Sequence, residues 1–278
     1  MNFRSTFLAL ALVAVAAPAS AALCTLAVKD STCTFTTDTS GGAALFTNPT
    51  QLSNIGSGTI KPFLGSQAIG TEFAVNTDQT AVNLLPLDDK RDNANTFTNT
   101  LQLDQLGTVT IGGTAYYEFF LDINEPNNDP DRFLSIDSLA IFGQTGSDPS
   151  APVDLNKNNI TSLADVDLFP NLEIVYRLGI ANTLILDYSL FAGSGLGYDM
   201  ALLIPVTEFA NLATDSRLVF AVGYGGAGGT VLGSGAADGF EEWAFLPGAA
   251  AVVPEPGVLA LLAIALFAAG AALRRTRK

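Results

Sequence analysis

The sequence predicts an all-β fold, a β-sandwich or jelly-roll-like body, and three observations carry that reading. Apolar and polar residues alternate with period two in run after run. Clusters of Asn, Asp, Pro and Gly separate the runs. Only two stretches, Leu163 to Leu168 and Thr207 to Leu212, suit even a short helix.

The elements follow in order along the chain. Residues 34–100, rich in Thr, Asn and Gly, read as irregular edge strands, and a separate subdomain within 22–100 stays open. In Ala115 to Asn124, Tyr117, Phe119, Leu121 and Ile123 share one face, with Glu118, Asp122 and Asn124 on the other. Asn124 to Asp131 (NEPNNDPD) is a turn segment. Leu134 to Phe142 is a further strand, with Leu134, Ile136, Ala140 and Phe142 expected on one side. After the breaker cluster Thr145 to Pro152, Leu172, Ile174, Tyr176 and Leu178 alternate with Glu173 and Arg177. Leu184, Leu186, Tyr188 and Leu190 alternate with Asp187 and Ser189. In Arg217 to Tyr224 the apolar set is Leu218, Phe220, Val222 and Tyr224. A glycine-rich loop, Gly223 to Gly239, leads to a final strand around Asp238–Trp243, whose Trp243 is expected in the core rather than as a sugar-stacking platform. Many short strands joined by such turns point to a sandwich.

The two ends read as an address. Arg4 gives a positive start, Phe7 to Ala17 is an apolar run too short to span a bilayer, and Pro18 breaks it. Ala19-Ser20-Ala21 is a small-x-small cleavage site, so 1–21 reads as a secretory signal peptide, cut after Ala21 or Ala22. Leu23 before Cys24 is too large for a lipobox. At the other end Gly257 to Leu273 is uninterruptedly apolar. As a helix it would cover roughly 25 Å, enough for a hydrocarbon core. Arg274, Arg275, Arg277 and Lys278 follow, and such a cluster stays cytoplasmic, which places the body outside the inner membrane.

Val253-Pro254-Glu255-Pro256, then an apolar helix and a basic tail, resembles the PEP-CTERM sorting signal of exported proteins in Gram-negative bacteria that make extracellular polysaccharide. The resemblance implies recognition near the Pro-Glu-Pro by an exosortase, a membrane enzyme resembling cysteine proteases. Segments FFLDINE, FLSIDSLAIF, LDYSLFAGSGLGYDM and DGFEEWAF are similar to elements of one group of such exoproteins. That group tends towards a tighter Gly-Ser repeat where this chain has Gly193 to Met200. The expected organisation is a signal peptide (1–21), an exported body (22–252) and a sorting signal (253–278).

Composition bounds the chemistry. Residues 22–253 carry 8 Lys and Arg against 26 Asp and Glu, a net charge of −18. Such a surface repels nucleic acid and anionic lipid. Cys24 and Cys33 are the only cysteines, and an oxidising compartment would pair them. The chain has no histidine, which removes Ser-His-Asp and Cys-His catalysis and histidine metal sites. Carboxylate pairs remain: Asp122 with Glu125, or Glu241 with Glu242, could serve a glycosidase. Adjacent Glu241 and Glu242 would point to opposite faces of a strand.

Calcium is a candidate cofactor. Asp154, Asn156, Asn158, Ser162 and Asp165 place oxygen side chains at positions 1, 3, 5, 9 and 12, the EF-hand spacing. Asn159 stands where the turn glycine belongs, and Ile160 comes one position early. A second oxygen-rich loop comprises Asn124, Glu125, Asn127, Asn128, Asp129 and Asp131. The expected function is a non-enzymatic surface or matrix protein, sorted by an exosortase, held transiently by the inner membrane and associated with extracellular polysaccharide. The alternatives are a carboxylate-based glycosidase or lyase, and a calcium-dependent carbohydrate-binding module.

Overall fold

A computed structural model describes residues 22–36, 43–48, 62–67, 69–76, 99–151, 153, 155, 160, 162–179, 182–190, 198–226, 235–237 and 239–248. The signal peptide, the sorting motif Val253–Pro256 and the apolar stretch 257–273 lie outside them. Met1–Leu246 forms one compact unit and Pro247–Lys278 a second. Among the described residues no helix is long and apolar enough to cross a membrane.

The body is all-β. Its strands are β1 (Leu23–Leu26), β2 (Thr32–Thr36), β3 (Ala43–Thr47), β4 (Leu64–Ser66), β5 (Ile69–Gly70), β6 (Glu72–Val75), β7 (Leu101–Gln102) and β8 (Thr108–Ile111). They continue with β9 (Thr114–Asp122), β10 (Phe133–Gln144), β11 (Leu172–Arg177), β12 (Thr183–Asp187), β13 (Met200–Pro205), β14 (Arg217–Tyr224), β15 (Ala236–Ala237) and β16 (Glu241–Phe245). One helix, α1 (Leu163–Val166), and a 3-10 turn at Val206–Phe209 lie where short helices were expected.

The first sheet runs β1-β12-β10-β14-β6, with β11 also on β10 and β7 also on β14. The second runs β2-β3-β13-β9-β16-β4, with β8 also on β9, and β15 and β5 form a small ribbon. The β1–β12 pair is parallel and the others are antiparallel. Gly112 and Gly113, both at positive φ, make the two-residue turn between β8 and β9, a conformation a side chain would strain. The Cys24–Cys33 disulfide joins β1 of one sheet to β2 of the other, as the cysteine count implied, with Cα atoms 6.2 Å apart.

One hydrophobic cluster draws on both sheets. Phe119 and Trp243 of the second meet Phe220 of the first, with ring centroids 4.7 and 5.9 Å apart. Phe63, before β4, also packs on Phe220, 4.8 Å away. Each such buried side chain contributes about 1.5–3 kcal/mol. The alternations expected for β9 and β14 hold: Phe119, Leu121 and Ile123, and Leu218, Phe220, Val222 and Tyr224, belong to this cluster.

Two bulges correct the expected faces elsewhere. The β10–β14 register shifts between Ile136 and Ser138, so Leu134, Ile136, Leu139 and Ile141 point inward. Ala140 and Phe142 move to the opposite face, in a second cluster under Val153, Leu155, Ile160 and Val166. The β10–β11 register shifts between Ile141 and Phe142, which skips Val175. Leu172 and Ile174 therefore pack outside while Tyr176 and Leu178 pack inside. The strand expected over Leu184 to Leu190 stops at Asp187, and Tyr188–Leu190 is a 3-10 turn. The described strands of the undecided 22–100 stretch pair into the same two sheets, except β5, which joins the ribbon.

Candidate functional site

Three glutamates meet where the ribbon closes one end of the sheets. Glu72 opens β6 beside Tyr224 of β14. Glu241 opens β16 opposite Ser66 of β4. Glu125 follows β9, and its Oε2 accepts from the Ala237 amide of β15 at 3.0 Å. Their relative exposures are 2%, 0% and 3%, so all three carboxyls are out of bulk water. Gly239 lets the Glu125 loop approach: a Cβ there would stand 1.9 Å from the Asn124 carbonyl oxygen. Tyr224 caps the group, its hydroxyl accepting from Trp243 Nε1 at 2.5 Å.

Burial lifts the Glu125 carboxyl to about 7, and the nearby Glu72 adds to the effect. Glu241 rises well above the usual range, first through burial and then through Glu72 and Glu125. Neither Glu241 oxygen has a hydrogen-bond donor among the described residues, and the carboxyls of Glu72 and Glu125 lie beside it. Burial next to two other carboxyls favours a proton held within this group.

A second acidic group lies on the other face of the same strands. Asp122 and Glu242 are cross-strand partners. Asp199, in the turn before β13, accepts from the Ile123 amide at 2.8 Å. Burial, then Glu242, lifts Asp122 to about 6. Asp199 is pushed far up, chiefly by burial, and the neighbouring Asp122 carboxyl adds to the effect. Elsewhere on that face burial lifts Glu118 to about 7.

The sequence pairs are thus exchanged. Glu241 and Glu242 point to opposite faces, as adjacent strand residues must, and so do Asp122 and Glu125. Glu241 joins Glu125, and Glu242 joins Asp122. Glu72 and Asp199 were not among the expected site residues. Glu72 begins a four-residue strand and Asp199 stands in a turn, so no alternation flagged either.

The calcium candidates fall partly outside the described residues. Asp154, Asn156 and Asn158 lie outside the described residues, and Ser162 Oγ donates to Asp165 Oδ2 at 2.9 Å. In the second loop Glu125 turns inward, Asp129 pairs with Arg132 at 3.0 Å, and Asn128 Nδ2 donates to Asp131 at 3.3 Å. Among the described residues no three His, Cys, Asp or Glu are placed to hold a metal ion. The chain matches no family model, no curated protein and no solved structure.

Proposed function

We propose that the chain is an exported, non-enzymatic surface or matrix protein that associates with extracellular polysaccharide. Its two sheets make a β-sandwich of the jelly-roll kind, and Val253–Pro256 with the apolar stretch that follows directs sorting by an exosortase. One observation carries the preference over a glycosidase. The convergent carboxylates Glu72, Glu125 and Glu241 are buried, at most 3% exposed, with no open cleft between them for a sugar bond. A glycosidase needs two carboxyls about 5–10 Å apart, flanking a bond in an open cleft with water. Trp243, fully buried, is a core residue and offers no stacking platform.

The test uses the native protein extracted from the cell surface with its polysaccharide. Intact mass should show a mature chain that starts at Ala22 or Leu23 and ends near Pro254-Glu255. A chain that keeps 257–278 while the exosortase is expressed, or that separates from the polysaccharide in mild salt, overturns the reading.

A further inference from the structure

We propose that a groove across the outer face of the first sheet is a saccharide site for one or two rings of a neutral sugar. The inference rests on the function proposed above and gives it a place. The groove crosses β6, β14, β10 and β11, with α1 as one wall, and encloses about 460 Å³. That falls in the roughly 300–1,000 Å³ range of small-molecule sites.

Small residues keep its floor low. A Cβ at Gly223 would lie 2.5 Å from Ser138 Oγ and 3.5 Å from the Phe73 ring, so any larger residue would fill the depression. Phe73 is half-buried, packed on the outer cluster, and borders the groove with an apolar ring. Across from it Arg177 is held by Asp167 in an ion pair. Asp137 and Glu72 also line the groove, and Asp137 is oriented in advance. Its Oδ2 accepts from Ser135 Oγ at 2.7 Å and from the Gly226 amide at 2.6 Å. Oδ1 has a single long contact, from Thr183 Oγ1 at 3.4 Å, and keeps capacity for another donor.

This chemistry selects the ligand. A hydrocarbon would leave the Asp137 carboxylate desolvated and unmatched. An anion would meet Asp137 and Asp167, with the one guanidinium already engaged. A neutral sugar has hydroxyls to donate to a fixed carboxylate and a C–H face to lay on an apolar ring. No sequence pattern pointed to this face, and of the three interior glutamates only Glu72 borders it.

Calorimetric titration of the full chain tests the site, with maltose, cellobiose, lactose and dextran as neutral probes and polygalacturonate as the anionic one. Saturable binding of at least one neutral probe is expected. Ala164→Trp, an exposed α1 position on the groove wall, should weaken it at least tenfold without touching the core. Asp137→Asn, which keeps one acceptor oxygen, should weaken it severalfold. The site is wrong if no neutral probe binds up to about 10 mM, the weak end of specific recognition. It is equally wrong if Ala164→Trp binds like the wild type, or if polygalacturonate binds better than every neutral probe. Co-extraction with native polysaccharide separates the two proposals. Variants that still co-extract refute the groove alone, and a wild type that does not refutes the function beneath it.

Discussion

Glu125 and Asp129 stand four residues apart in one loop and meet opposite fates. Asp129 faces solvent and pairs with Arg132 at 3.0 Å. Arg132 also reaches Asp187, 3.5 Å away, and lies over the Phe133 ring at 4.6 Å. Glu125 turns inward to Glu72 and Glu241, with one backbone amide as its protein donor. The outer carboxylate is matched by a cation. Glu125 and Glu241 are shown beside no cation among the described residues, and burial favours their protonated forms. A loop that looks like a uniform run of oxygen ligands is divided by the position of a single arginine.

The largest effect expected from this contrast is on pH dependence. Glu118, Glu125 and Asp122 are lifted to about 7, 7 and 6, and Glu241 and Asp199 are raised well above the ordinary carboxylate range. The folded state therefore keeps protons that the unfolded chain releases near pH 4. Stability is full below the unfolded values and falls as pH rises towards 7 and beyond. Melting temperature should climb on acidification from pH 8 to pH 5. Glu241→Gln should flatten that slope and stabilise the protein at pH 8 by about 1–3 kcal/mol, the cost of leaving a buried polar or charged group unmatched. Its amide keeps two N–H donors for the two flanking glutamates. Thermal melts at the two pH values decide the matter. A wild type equally stable at both, or a Glu241→Gln protein less stable at pH 8, would break the proton-sharing picture.

The sequence was informative wherever strands run without interruption. β9 and β14 keep strict alternation, and their inward faces were legible from Phe119, Leu121, Phe220 and Val222. β10 and β11 were misjudged for a physical reason: each contains a bulge, and one extra residue sends everything beyond it to the other face. Ala140, Phe142, Leu172 and Ile174 fooled a period-two reading because a second apolar layer covers the outer face and buries both sides. Trp243 and the Cys24–Cys33 bridge followed from composition alone. The carboxylate groups did not, since Glu72 and Glu241 lie far apart in sequence and meet only through the pairing of β6 with β14 and β16 with β4.

An intermediate effect is expected on the outer side of the comparison. Arg132→Met keeps the apolar stem over Phe133 and removes the charge. Asp187 is buried and loses its only recorded cation among the described residues, although the Ser189 amide and hydroxyl still donate to it. A loss of about 1–2 kcal/mol in urea unfolding is expected, between a surface pair and a fully buried one. The loss should shrink as salt is raised, because ions screen the attraction that Arg132 supplies. A loss unchanged by salt would mean that the arginine acts by packing alone.

The smallest effect should come from Asp129→Asn, which removes the solvent-side carboxylate and leaves Arg132 with Asp187. Asp129 is largely exposed, and its attraction to Arg132 is screened by water and salt. Asparagine retains an oxygen that can accept from the guanidinium, and it is at home in turns. The expected change is within about 0.5 kcal/mol, shrinking further as salt is raised. Urea unfolding at low and high ionic strength measures it. The value of the variant lies in what it does not do: the pH 8 to pH 5 gain in melting temperature should survive in full, because the protons responsible are on the inner carboxyls. If Asp129→Asn removes that gain, the titrating groups belong to the loop surface, and the division between its inner and outer halves is misplaced.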